Sequence, residues 1–304
     1  MKKFIILCWV ALIGLSLTSS AQHEITKHYA GIESLEIEGG SLEVTYTGKA
    51  DQTDIDITAF LGSEEEREKD LVFVTMGNVL KIAYHPNKKF NHYDGPKRYV
   101  RISGPENIKL QVKNSSGQVT VDQVSSDETQ LTVSSGQINA SNIHGDLILR
   151  GSSGNIQAKG VAGSVTCDLT SGSSKLENIN GNLDFSSTSG RLNASHVGGK
   201  VNAKLTSGSI SLDDIGELGE IAISSGNVKA TQAKLGNSTH FKGSSGSFSI
   251  NTPSDLTAFN YDLQASSGSV SVGKSSGGKK LMIQNGAAAT VRGNISSGRI
   301  KIEN

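Results

Sequence analysis

The chain has two cysteines and one tryptophan in 304 residues, and neither sign of charge prevails, with 29 basic residues against 29 acidic ones. That balance excludes a general electrostatic pull toward nucleic acid or anionic lipid. Long apolar runs are missing as well. Outside one stretch from Phe4 to Leu17, nothing approaches the ~18 consecutive apolar residues of a membrane-spanning helix. That stretch follows Met1-Lys2-Lys3 and precedes Thr18-Ser19-Ser20-Ala21, the order of a secretory leader with a small-residue cleavage site. Residues 1–21 therefore read as a signal peptide, and the chain as one exported to the periplasm or cell surface of a bacterium.

Cleavage would remove Cys8 and Trp9. Cys8 follows Leu7 rather than a small residue, which argues against lipidation. Cys167 then has no partner for an intrachain disulfide, and its neighbours in the repeat make it a small buried hydrophobe. Aromatics are also few. Beyond residue 108 only Phe185, Phe241, Phe248, Phe259 and Tyr261 occur, a poor supply for the stacking platforms of sugar clefts.

What the chain does have is glycine, 35 residues of it, much of it in a recurring Ser/Thr-Ser-Gly mark. Gly136, Gly154, Gly172, Gly190, Gly208 and Gly226 follow one another at intervals of 18. Gly117 precedes the series by 19; Gly246, Gly268 and Gly298 continue it more loosely. A fixed period of this length is the signature of a solenoid whose units stack on one another. Stepping by 18 aligns Leu147, Val165, Leu183 and Val201, then Leu149, Cys167, Phe185 and Ala203. After the glycine the aligned sets are Ile156, Ser174, Leu192, Ile210 and Val228, then Ala158, Leu176, Ala194, Leu212 and Ala230. Val161, Ile179, Val197 and Ile215 close the unit. Polar residues such as Gln137, Asn155, Lys175, Arg191 and Asn193 alternate with these, as in strands with one buried face.

The left-handed hexapeptide helix shares the 18-residue repeat but needs an aliphatic residue every six positions; from Leu147 that step meets Ser153 and Lys159. The expected fold is thus all-β, a right-handed parallel β-solenoid (β-helix) with ~18-residue coils. About ten coils at ~4.8 Å would make a rod roughly 50 Å long. Residues 109–304 form this rod. Residues 22–108 form a less regular β-rich segment or distorted first coils, with strands expected at Leu35–Ile37, Leu42–Tyr46, Ile55–Ile57, Leu71–Val74 and Val79–Ile82. Met76-Gly77-Asn78 reads as a hairpin turn, and Ser63–Asp70 as a helical turn or solvated loop. The segment would cover the rod's open N-terminal edge.

Serine beside glycine is also the chemistry of nucleophile elbows. A nucleophile occurs once and needs a base, whereas this mark recurs about ten times with no histidine on its period. The glycines read as corners with positive φ, and the serine hydroxyls as groups that satisfy turn backbone or one another in a ladder. Two other clusters stand out. The loop 85–98 gathers Lys88, Lys89, Phe90, His92 and Tyr93, a contact patch or simply an exposed polar loop; His85 and His92 lack metal-ligand spacing. Asp168 and Asp184 on neighbouring coils, with Arg150 and Lys204 in the column of Asp168, are the nearest approach to a carboxylate pair. Charges of both signs on a solvated face account for them without catalysis.

The Ser-Ser-Gly-x-Ile/Val corners, Leu35-Glu-Ile-Glu-Gly-Gly40, the acidic segment before Leu71 and Tyr99-Val-Arg-Ile-Ser-Gly-Pro105 together resemble the DUF4097 family of bacterial β-strand-repeat putative adhesins. The resemblance spans nearly all of the chain beyond the leader. It implies an exported, non-catalytic β-helix, with no catalytic motif and no cofactor to carry over. The preferred function is adhesin-like binding of a glycan or an envelope protein through the polar flank. Two alternatives stand beside it: a periplasmic scaffold or sensor component that binds one protein partner, and a polysaccharide-acting enzyme.

Overall fold

The computed structural model describes residues 24–62, 69–86 and 97–304. The signal-peptide reading and the loop residues Lys88, Lys89, Phe90, His92 and Tyr93 lie outside these residues, as does most of the expected helical turn at 63–70. Within them the chain forms sixteen strands joined in one sheet. A 3₁₀ turn, Leu256–Ala258, is capped by the Asp255 carboxylate. No helix among the described residues is long and apolar enough to cross a membrane.

The repeat section builds this sheet from long strands stacked in parallel: β8 (Lys109–Val124), β9 (Glu128–Ile143), β10 (Asp146–Val161), β11 (Val165–Ile179) and β12 (Leu183–Asn251). Each of β9, β10 and β11 pairs with the next in a register that places Gly136 beside Gly154, Gly154 beside Gly172 and Gly172 beside Gly190. Leu147, Val165 and Leu183 are direct partners, as are Leu149, Cys167 and Phe185. All six are buried, and Val201 continues the file with no exposed surface. The apolar side chains between the glycines thus belong to one continuous core that runs the length of the stack. Parallel pairing is what forces this: identical positions on neighbouring coils fall side by side, so an inward residue always meets an inward residue.

Two details of the coil differ from the expectation. The Ser-Ser-Gly mark does not interrupt the strands; β10 runs through Gly154, and β12 passes Gly190, Gly208, Gly226 and Gly246 unbroken. The corner is a bend inside a hydrogen-bonded ladder. Positive φ is also not common to all the glycines, because Gly136 and Gly154 lack it while Gly172, Gly190, Gly208, Gly226, Gly246, Gly268, Gly298 and Gly117 have it. What the column shares is close approach. A Cβ on Gly154 or Gly190 would fall on the carbonyl oxygen of the glycine one coil earlier.

The N-terminal segment docks on the first long strand. β2 (Ser34–Gly40) and β3 (Glu43–Lys49) pair in parallel with two stretches of β8. β6 (Val79–Tyr84) continues β2, and β7 (Tyr99–Pro105) continues β3. Antiparallel strands β5 (Leu71–Met76), β4 (Ile55–Phe60) and β1 (Ile25–Tyr29) finish this end. Met76 pairs with Val79 across a turn in which Gly77 has φ +61, the hairpin expected from Met76-Gly77-Asn78. Tyr46 anchors the junction. It is fully buried, and its hydroxyl donates to the Pro105 carbonyl at 2.5 Å.

The C-terminal end does not follow sequence order. β16 (Thr290–Glu303) lies between the last coil of β12 and β13 (Asn260–Val272), and pairs in parallel with both. β13 is therefore the outer coil. β14 (Ser275–Gly277) and β15 (Lys280–Ile283) fold back on it antiparallel. Asn260 holds the crossing chain in place: its Nδ2 donates to the Ala287 carbonyl at 2.6 Å and its Oδ1 accepts the Asn285 N–H at 2.8 Å.

Candidate functional site

A groove runs along one flank of the stack, across successive coils, with a volume of about 590 Å³. Its base carries Leu169, Ser187, Leu205, Ile223 and Gly243, and hydroxyls of Thr188, Thr206, Ser224 and Ser244 line it at successive corners. Two niches, of about 300 and 380 Å³, extend it toward the N-terminal end around Arg150, Asp168 and Asp184. The groove follows from the repeat itself. Outward positions two residues ahead of each corner fall in one file, and small side chains such as Ser186 and Ala222 leave that file partly empty.

Charged side chains project into it from the strands. Lys242 Nζ donates to Glu220 Oε2 at 2.8 Å, and Lys204 Nζ lies 3.6 Å from Glu220 Oε1. The hydrogen bond from Lys242, aided by the charge of Lys204, holds the Glu220 carboxyl below its ordinary range. Asn202 positions this acid: its Oδ1 accepts the Glu220 N–H at 3.0 Å while its Nδ2 donates to Asp184 at 2.9 Å. His240 stands on the next coil, opposite Arg292. Burial, followed by the charge of Lys242, lowers its pKa.

Asp168 and Asp184 do come together, in the niche they share with Lys204 and Glu220. Both are spent on coil-to-coil hydrogen bonds, however. Asp168 accepts from Ser186 Oγ at 2.6 Å, and Asp184 from Asn202. This is what stacked polar columns do on any solenoid face. Among the described residues no group of His, Cys, Asp and Glu is placed to hold a metal ion. Cys167 is fully buried beside Ser174, Sγ to Oγ 3.5 Å, and burial pushes its thiol up to about 12.

The expected serine ladder is not formed. Ser153, Ser189, Ser207 and Ser225 are exposed, and their hydroxyls make no hydrogen bond within the described residues. Their exposure presents a row of hydroxyl groups to solvent along the corner edge. Backbone satisfaction is supplied at a different bend. Asp146 accepts the Ser164 N–H, Ser164 Oγ accepts the Asn182 N–H, and Asn182 accepts the Lys200 N–H, at 2.8, 3.2 and 2.8 Å.

A third bend went unread in the sequence. Gln123, Asn142, Asn178, His196, Asp214 and Gln232 are all left-handed, with φ between 50 and 57, and Gly160 joins the file at φ 73. Each precedes an inward residue such as Ile143, Ile179 or Ile215. The signal was available: Asn, Gly, Asn, His and Asp recur every 18 residues, and Asn and Asp tolerate this conformation better than most. Lys242 escaped for another reason. The interval from Gly226 to Gly246 is 20, so stepping by 18 from Lys204 and Ala222 misses it.

The architecture is that of a parallel β-stacked repeat protein with a polar, open flank. A family model described as Toastrack DUF4097 matches residues 32–215 and 200–303, and the chain belongs to that family. Among solved structures, a putative adhesin from Parabacteroides merdae is similar at 17% identity, over 92% of this chain and 95% of that one, with a TM-score of 0.49. A putative lipid binding protein from Parabacteroides distasonis is similar at 21% identity, over 77% and 98%, with a TM-score of 0.45. A putative adhesin from Bacteroides fragilis is similar at 15% identity, over 93% and 98%, with a TM-score of 0.32. No curated protein matches the chain.

Proposed function

We propose that this chain is a non-catalytic, adhesin-like protein of the bacterial envelope that binds an extended glycan along the groove. In this reading residues 1–21 direct export, residues 22–108 cover the first coil, and residues 109–304 form a right-handed solenoid of 18-residue coils. The Ser-Ser-Gly glycines are its structural corners. The observation that supports the reading is the direction of the groove: it crosses coils, so the hydroxyls of Thr188, Thr206, Ser224 and Ser244 recur at successive levels. Coils repeat at about the ~4.8 Å spacing of paired strands, comparable with the length of one sugar residue in an extended polymer. A linear glycan would meet a similar set of hydrogen-bonding groups at every step, each weak and together selective.

Ala222→Trp tests this directly. The position is half-buried at the groove wall, so an indole there fills the channel without entering the core. Wild type should bind members of a glycan array and the variant should not, with both melting alike. Equal glycan binding by the two proteins overturns the groove as the site. Protease shaving of intact cells addresses location: cleavage of the chain supports surface display, and protection supports a periplasmic position.

A further inference from the structure

We infer that the half of the groove nearer the C-terminal coils selects an acidic polysaccharide, one with a carboxylate on every second sugar. The inference rests on the glycan reading above and adds the class of glycan. Three cations, Lys204, Lys242 and Arg292, stand on three different coils of this stretch. Two acids oppose them: Glu220, between the lysines, and Asp262, beside Arg292 on the outer coil. Within the main groove lining two lysines face one acid, Glu220, in a chain whose overall charge is balanced; Asp168 and Asp184 lie beyond Lys204 in the adjoining niche. His240 lies in the same field: burial does most to disfavour its protonated form, Lys242 and Arg292 add to this, and Glu220 opposes them.

The lysines are available to a ligand. Lys204 is 67% exposed and Lys242 46%, and a solvated ion pair of this kind holds its members only weakly. A ligand carboxylate can replace Glu220 as their partner at little cost. Spacing then limits the ligand. Lys204 and Lys242 are two coils apart, about 10 Å at the strand spacing, comparable with the advance of a disaccharide in an extended chain. Single charges at that interval match both lysines at once; neutral polymers match neither.

A membrane surface fits less well. Lys204 and Lys242 line a concave channel with apolar residues at its base, not a flat face that headgroups could cover. The exposed large hydrophobics that would enter a bilayer, Val72, Val74, Met76 and Met282, lie outside the groove lining.

The test uses the full chain, with hyaluronan decasaccharide and a neutral chitooligosaccharide of equal length, by calorimetry at low and at high salt. The expected result is a preference for hyaluronan that shrinks with salt. The double variant Lys204→Ala, Lys242→Ala should lower hyaluronan affinity by about tenfold, and Glu220→Gln should raise it by releasing both lysines. The gain in Glu220→Gln keeps the inference falsifiable even if the double variant misfolds. Equal binding of both sugars, unchanged in all variants, overturns the acidic specificity and leaves the glycan reading standing. Binding of neither sugar, with capture by phosphatidylserine vesicles instead, overturns both.

Discussion

Gly268 stacks on Gly298 rather than on Gly246, the glycine that precedes it in the series. A Cβ added at Gly268 would fall on the Gly298 carbonyl oxygen, and one added at Gly298 on the Gly246 oxygen. The segment later in sequence is therefore the inner one. Hydrogen exchange should report this inversion. Amides of β16, paired on both sides, are expected to exchange more slowly than those of β13 near Gly268, although β16 comes later in the chain. Equal exchange would mean that β16 does not occupy the slot.

Gly190 and Asn193 offer a paired stability test within one coil. Gly190 has φ +143 and no room for a Cβ against the Gly172 carbonyl, so Gly190→Val should destabilise by more than ~3 kcal/mol. Asn193 points to solvent, and Asn193→Ser should stay within ~0.5 kcal/mol. Urea melts of the two variants decide the matter; similar midpoints would remove the close-approach argument.

The left-handed file makes a prediction of the opposite sign. His196 holds φ 54, a conformation that costs an L-residue roughly 1–2 kcal/mol more than glycine. His196→Gly should raise stability by about 0.5–1 kcal/mol and His196→Ile should lower it. A lower melting temperature for the glycine variant would refute the strain.

Two histidines should give pH dependences of opposite direction. His28 Nδ1 donates to the Asp56 carboxylate at 2.8 Å, and that hydrogen bond raises its pKa above 6.5. Its stabilisation is complete below pH 6.5 and is lost as pH rises through the raised value. His240 has a lowered pKa because burial disfavours its charge, so stability is full above pH 6.5 and falls as the pH drops toward that lower value. His240→Gln should flatten the acid side of the profile between the two pKa values, and His28→Gln the side above pH 6.5. Chemical denaturation across the pH range measures both. Glu220 adds a third limb, present above its ordinary 4.5 and lost as pH falls through its depressed value.

Cys167 should resist thiol reagents. With its pKa near 12 and no exposed surface, it should react with a disulfide reagent at pH 8 only as fast as the coil opens. Rapid labelling of folded protein would place it outside the core.

Much of the fold was legible because the repeat carries its own alignment. Leu147, Val165 and Leu183 share a file simply because Gly154, Gly172 and Gly190 do, and parallel pairing preserves the period in space. The antiparallel hairpin at Gly77 was equally local. Other features were not local. The inner position of β16 depends on which of two similar coils, Ser267-Gly268-Ser269-Val270 or Ser297-Gly298-Arg299-Ile300, seats on Ser245-Gly246-Ser247-Phe248, and both carry the same mark. Asp168 and Asp184 were visible as neighbours, but their engagement with Ser186 and Asn202 needed side-chain geometry. The Glu220 cluster required knowing that two extra residues between Gly226 and Gly246 are absorbed without loss of register.

The inner seat of β16 bears on how the molecule can be assembled during its own synthesis. Growth from the N-terminus lets each coil settle on the one before it, until residue 251 has been laid down. The next coil to emerge, 260–272, then meets a ledge on which Gly268 could rest but which belongs to Gly298. A coil made early must wait for one made late, or give way to it. Completion of the rod is thereby tied to delivery of its final thirty or so residues, whatever the rate at which the rest has stacked.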